Sequence, residues 1–281
     1  MQIRVISDSS SNLFEMEGLD YMTVPLKIIF NGLEYPDVPG LDAVALMHQI
    51  HASKGVSSTS CPNVHEWKEA MELRPAEAIF CITISSNLSG SYAAACTAAG
   101  EFRAEHPGTE VCVFDSLATG PEMQLYLEKL LQLLKEGMPF DRAVVEIRHY
   151  QEHLHIQFAL ESLVNLSRAG RVNSAVALIA GIIGFRFLGE GSEEGTIHML
   201  DKYRGEKKTL QHMLQFMKRD GFSGGKLRIS HCNNLNGAEL FRDKVLLEFP
   251  HTDVSINECT GLCSYYADLG GIIIAYEDSG A

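Results

Sequence analysis

Ala78-Ile79-Phe80-Cys81-Ile82-Thr83-Ile84-Ser85-Ser86-Asn87-Leu88-Ser89-Gly90 is the stretch on which the fold turns. Residues 78–84 form a continuous apolar run of strand length with no polar alternation. That pattern belongs to a strand buried on both faces, as in a parallel sheet covered by helices. The run breaks into hydroxyls and a glycine, and an Ala-rich helix follows over residues 91–105. Strand, turn and helix in that order predict a βαβ unit, whose ligands gather beyond the carboxyl ends of the strands.

The same grammar extends in both directions. Residues 3–7 read as a strand ending in Asp8-Ser9, and residues 111–114 as another ending in Asp115-Ser116, before a helix over 121–136. Residues 22–30 read as one strand whose Pro25 marks an edge or bulge. A helix is expected over 41–51. Asn63 caps the next helix, with Glu66 as its capping-box partner. Three hydroxyl-rich turns would converge on one rim. Asp and Ser are also ordinary N-caps, so each turn has a purely structural reading too.

The second half has a different texture. A helix near 141–153 and a strand near 155–159 lead to a polar Gly turn, Ser167-Arg168-Ala169-Gly170-Arg171, and a very apolar helix around 174–183. A Gly-broken loop at 189–195 precedes a strand over 196–203 and a helix over 207–219. Strands then fit 226–231, 253–258 and 271–276, with a helix over 237–249. At roughly 150 residues per domain, 281 residues predict two α/β domains, residues 1–150 and 151–281.

Composition narrows the function. The formal charge of −13 argues against nucleic acid or anionic headgroups, both of which need clustered Lys and Arg. Seven cysteines without a CxxC pair point to a reducing cytoplasm rather than a disulfide scaffold. Neither a signal-peptide pattern nor a membrane span is expected. Gly189–Gly195 is one residue too long for a dinucleotide loop, and 221–226 is one short of a P-loop. His149, His153 and His155 cluster, yet no further ligand falls at metal spacing, so no metal is expected.

The hydroxyls around Thr59-Ser60-Cys61-Pro62 and Ser89-Gly90 are the better clue. Two helix starts bearing hydroxyls can hold a carboxylate or phosphate without a formal charge. A small-molecule enzyme acting on an acyl or phosphorylated substrate at this rim would need a base, with Asp8, Asp115 or His231 the candidates.

Several of these pieces together resemble the DegV family of fatty-acid-binding proteins. The match runs through Asp8-Ser9-Ser10, Val24-Pro25-Leu26, Thr59-Ser60-Cys61-Pro62, 85–92, Asp115-Ser116, 163–172 and Lys202-Tyr203-Arg204. The resemblance implies an N-terminal, mostly parallel α/β sheet, a C-terminal α/β domain with a mixed sheet, and a long-chain fatty acid in a tunnel between them. It implies a carboxylate held by Thr59, Ser60, Ser89, Gly90 and Arg171, and presented to a fatty acid kinase subunit by a carrier that is not itself an enzyme and needs no cofactor. Arg204, heading a basic cluster with Lys207 and Lys208, is a candidate contact for that kinase. Where the family has a His before Gly-Pro-Gly, this chain has Tyr266 before Ala267-Asp268-Leu269-Gly270. The apolar 175–183 segment reads either as tunnel wall or as a core helix.

Overall fold

A computed structural model describes residues 2–53, 55–173 and 184–281. The apolar helix expected at 174–183 lies outside the described residues. Four strands, β1 (Ile3–Asp8), β2 (Asp20–Val24), β6 (Ala78–Thr83) and β7 (Glu110–Asp115), form a parallel sheet in the order β2-β1-β6-β7. Every residue of β6 is buried, as its unbroken apolar run requires. Strand alternation splits its side chains between two cores. Ile79 and Cys81 meet Trp67, Met71 and Phe102 of helices α2 (Val64–Glu72) and α3 (Ser91–Glu105). Phe80 and Ile82 meet Leu125, Leu130 and Ile147 of α4 (Pro121–Lys135) and α5 (Phe140–Gln151). The Asn63 capping box at the start of α2 is present on both sides.

The single strand expected over 22–30 is two strands in different sheets. Pro25 has no N–H to give a ladder, and the Leu26 N–H turns aside to the Ser9 hydroxyl at 3.0 Å. The chain then enters β3 (Lys27–Phe30), which pairs with β4 (Leu33–Pro36) and β5 (Ser57–Ser60) in a small antiparallel sheet. Helix α1 (Ala43–Ala52) packs on it through Leu46, Met47 and Ile50.

The second half builds a six-stranded mixed sheet of β8 (Leu154–Leu160), β9 (Phe185–Gly191), β10 (Ile197–Arg204), β11 (Lys226–His231), β12 (Asp253–Glu258) and β13 (Ile272–Glu277). Its order is β10-β9-β8-β13-β11-β12, and β11 with β12 is its parallel pair. Helices α7 (Glu206–Arg219) and α8 (Leu235–Glu248) cover one face, burying Leu210, Met213, Met217, Phe241 and Val245. The other face carries α6 (Val164–Arg168) and α9 (Gly261–Ala267). Glycines at 189 and 191 belong to β9 rather than to a loop, which is confined to 192–196. A Cβ at Gly189 would collide with the Phe158 ring, and one at Gly191 would lie 2.7 Å from Ile156 Cγ2. These glycines make room for neighbours across the ladder. None of the described helices is long and apolar enough to cross a membrane.

Helix α4 touches both large sheets, and residues Pro121 through Leu127 are all buried. Glu122 is among them, and burial pushes its carboxyl up to about 8, from 4.5 when exposed. The folded state keeps a proton that the unfolded chain surrenders between those values, so stability falls as pH rises through that window. Glu122→Gln should flatten this slope and stabilise the protein at pH 8 by on the order of 3 kcal/mol. Urea unfolding at pH 5.5 and pH 8 measures it; equal pH slopes in parent and variant contradict it.

Candidate ligand-binding site

The sheet order places the ends of β1, β6 and β7 side by side, and the three turns do meet. Their acids are occupied in building the rim. The Asp8 carboxylate, fully buried, accepts from the Ile84 N–H at 3.0 Å, the Ser91 hydroxyl at 2.6 Å, the Ser10 N–H at 3.3 Å and the Ser10 hydroxyl. Burial raises its pKa while these donors pull it back. Asp115 accepts from the N–H groups of Ser86 and Leu117, at 3.0 and 3.1 Å. Both carboxylates therefore hold the 85–90 loop in shape.

That loop closes on itself through Leu88 and Ser89 N–H groups donating to the Ser85 carbonyl, at 3.0 and 3.1 Å. Gly90 starts α3, and a Cβ on it would lie 3.2 Å from Cys61 Sγ. Thr59-Ser60-Cys61 is thus brought against Ser89-Gly90. The Thr59 stretch lies upstream of α2, as expected, but Asn63 rather than Thr59 caps that helix, and Ser57–Ser60 is itself strand β5. Alternation along β5 sends Ser57 and Thr59 to one face and Ser60 to the other. On the first face, the Tyr265 hydroxyl donates to Ser57 Oγ at 3.1 Å and Thr59 Oγ1 lies 2.7 Å from the Tyr266 hydroxyl.

Arg171 arrives from the other sheet. Helix α6 ends with Gly170 at φ +73°, the Gly170 N–H on the Ser167 carbonyl and the Arg171 N–H on the Leu166 carbonyl. This is a Schellman motif, with Gly supplying the left-handed residue. It aims Arg171 at the 85–90 loop, where Nε donates to the Leu88 carbonyl at 2.5 Å.

Beneath these groups lie two adjoining chambers whose walls are almost wholly apolar. Leu88, Thr119, Leu166, Ile197, Tyr266 and Ile273 border both, drawn from both large sheets and their loops. The larger chamber continues along Ile156, Phe158 and Leu160, which share one face of β8. The smaller reaches Ile84, Leu262, Cys263 and Arg171. Among the described residues, Thr59, Ser60, Ser89 and Gly90 line neither chamber; Tyr266 joins them, its ring in the chambers and its hydroxyl on Thr59. Long-range pairing alone places Tyr266 there, 207 residues from Thr59.

The remaining candidates lie elsewhere. Arg204 is exposed at the end of β10, beside Tyr203, whose ring stacks on His212 at 3.9 Å. His231 accepts from the Asn234 N–H at 3.3 Å, and burial lowers its pKa. His153 and His155 both meet Asp278, at 3.0 and 3.2 Å. Neither Asp8, Asp115 nor His231 borders a chamber.

Both the sequence and the fold have counterparts among known proteins. A family model described as "Uncharacterised protein, DegV family" matches residues 2–277. A DegV domain-containing protein of Streptococcus gordonii is 34% identical over 281 residues, 99% of each chain. A DegV family protein from Eubacterium eligens, solved loaded with heptadecanoic acid, is 36% identical with a TM-score of 0.95, covering 99% of this chain and 100% of that one. The Streptococcus pneumoniae Fatty Acid Kinase (Fak) B3 protein, solved loaded with linoleic acid, is 32% identical with a TM-score of 0.95, covering 99% of both. Matched end to end in sequence and in fold, this chain belongs to the DegV family.

Proposed function

We propose that the protein carries one long-chain fatty acid and presents its carboxylate to a fatty acid kinase, without catalysing a reaction or using a cofactor. The observation that carries this reading is the pair of apolar chambers meeting at Tyr266, whose hydroxyl pairs with Thr59. Burying about 14 methylenes at ~0.8 kcal/mol each contributes on the order of 11 kcal/mol gross, ample for tight binding after ordering costs. The relatives' fatty acid ligands and the kinase named for one of them support the same reading. We read the chain as two lobes dividing near residue 150, with the acyl chain between them, and place it in the cytoplasm, in keeping with seven free cysteines.

The carboxylate is assigned to Thr59, Tyr266, Ser89 and Arg171, with Gly90 giving backbone access; Ser60, on the opposite face of β5, stands behind them. Of the two hydroxyls in the Thr59–Tyr266 pair, one donates to the other and one proton remains for the ligand. Arg204 is assigned to the kinase-facing surface. The tail supplies most of the affinity, so Thr59→Ala should lose only ~0.5–3 kcal/mol of binding. In-line phosphoryl transfer depends on placement within a fraction of an ångström, so the same variant should lose most of its activity as a kinase substrate. Lipid extracted and weighed from purified Thr59→Ala, beside an assay with a cognate kinase, tests both halves. Empty protein shows that the head group sets affinity, and loaded protein with undiminished transfer removes Thr59 from the site.

A further inference from the structure

Strands β3, β4 and β5 with helix α1 form a strap that grips α9 along its length. Asp37 accepts from the N–H groups of Gly261 and Leu262, at 2.7 and 3.0 Å, at the start of the helix. Ser57 and Thr59 meet Tyr265 and Tyr266 in its last turn, and beyond its end His51 Nε2 lies 2.6 Å from Asp268 Oδ1. The last contact sits in a polar cleft shared with Ser53, Ser162 and Arg168, away from the apolar chambers.

Asp268 is the unusual residue in this set. It has φ +60° and ψ +167°, a region that is essentially reserved for glycine and persists only where the surroundings over-determine it. Glycine is at hand in this turn: Gly270, at φ +85°, and Gly271 follow within three residues. An aspartate in a glycine conformation directs attention to its side chain, which is engaged on both sides of the turn. That side chain is nearly buried, while His51 is half exposed. The Asp268 oxygen that meets His51 also accepts from the Leu269 N–H at 2.8 Å, and the Asp268 N–H closes α9 on the Ser264 carbonyl at 2.9 Å.

We propose that His51 and Asp268 are positioning residues for the head-group end of the site: the pair holds the strained turn after α9 and so fixes where the Tyr266 hydroxyl meets Thr59. This rests on the fatty acid reading above. Helix α9 has seven residues, and Tyr266 lies in its last turn, two residues before Asp268. Freed from His51, Asp268 relaxes toward ordinary backbone angles and rotates that last turn. The Tyr266 ring remains between apolar walls, but its hydroxyl loses register with Thr59. Tail binding is thereby spared and head-group geometry is not.

The test loads the full-length protein with [1-13C]oleate and records the carboxyl 13C line, bound stoichiometry and thermal midpoint. The wild type should give one narrow line displaced from that of free oleate. In His51→Ala and Asp268→Ala, one oleate should still bind per chain, with the line broadened or moved at least halfway to its free position. His51→Gln, whose amide donates from the place of Nε2, should restore the wild-type line. Asp268→Gly should keep the wild-type line and melt above Asp268→Ala, because glycine takes the same angles without strain and needs no partner to hold them. An unmoved line in both His51→Ala and Asp268→Ala overturns the proposal, as does a line displaced equally in His51→Gln, or a displaced line in Asp268→Gly. Failure of the fatty acid reading looks different: no displaced line in the wild type itself.

Discussion

Ile197→Trp should empty the protein of lipid while leaving it folded. Ile197 begins β10, is half-buried, and borders both chambers. An indole there can extend into the chambers that Ile197 borders, which limits the overpacking cost. On the proposed reading it stands in the acyl chain's path from Leu88 toward Phe158. Denying burial to about five methylenes at ~0.8 kcal/mol each costs ~4 kcal/mol, about 10³-fold in affinity. The measurement is lipid per chain after purification, with the thermal midpoint as control. A fully loaded, well-folded variant would mean that the chambers are not where the tail lies.

Asp8→Ala should cost about 3–5 kcal/mol of stability, with no direct loss of a ligand contact. Four donors converge on this buried carboxylate, and Asp8 accepts from each of them. Truncation orphans the Ile84 and Ser10 N–H groups and the Ser91 and Ser10 hydroxyls. Each buried unsatisfied donor costs ~1–3 kcal/mol, reduced where water enters the space left behind. Asp8→Asn keeps one acceptor oxygen but turns an amide N–H₂ toward donors, and should fall between parent and Asp8→Ala. Urea unfolding with an unchanged m-value reads the loss. A change under ~1 kcal/mol would remove Asp8 as the post that ties β1, β6 and α3 together.

The parallel sheet was legible because its physics is local: β6 is apolar throughout since helices cover both faces, and Asn63 with Glu66 spells a capping box. The small antiparallel sheet was not. Ser57-Ser58-Thr59-Ser60 has little of the bulk that fills a pleated surface, and it becomes a strand only by pairing with Ile28 and Ile29. Helix α9 was hidden for a related reason. All of its residues but Tyr266 are buried, so no polar face marks a helical period. The glycines of β9 misled because they read as turn residues until Phe158 and Ile156 are set against them. Thr59, Ser89 and Arg171 were readable as a motif; that Tyr266 meets Thr59, and that Ser60 lies on the other face of β5, depends on pairings no local window contains.

Native mass spectrometry of the untreated, purified protein tests the central claim most directly. The account predicts a single added mass per chain in the range of a C14–C18 fatty acid, released on denaturation in organic solvent and absent from Ile197→Trp. A chain that carries no added mass, and that takes up none from a mixture of such fatty acids, would contradict it.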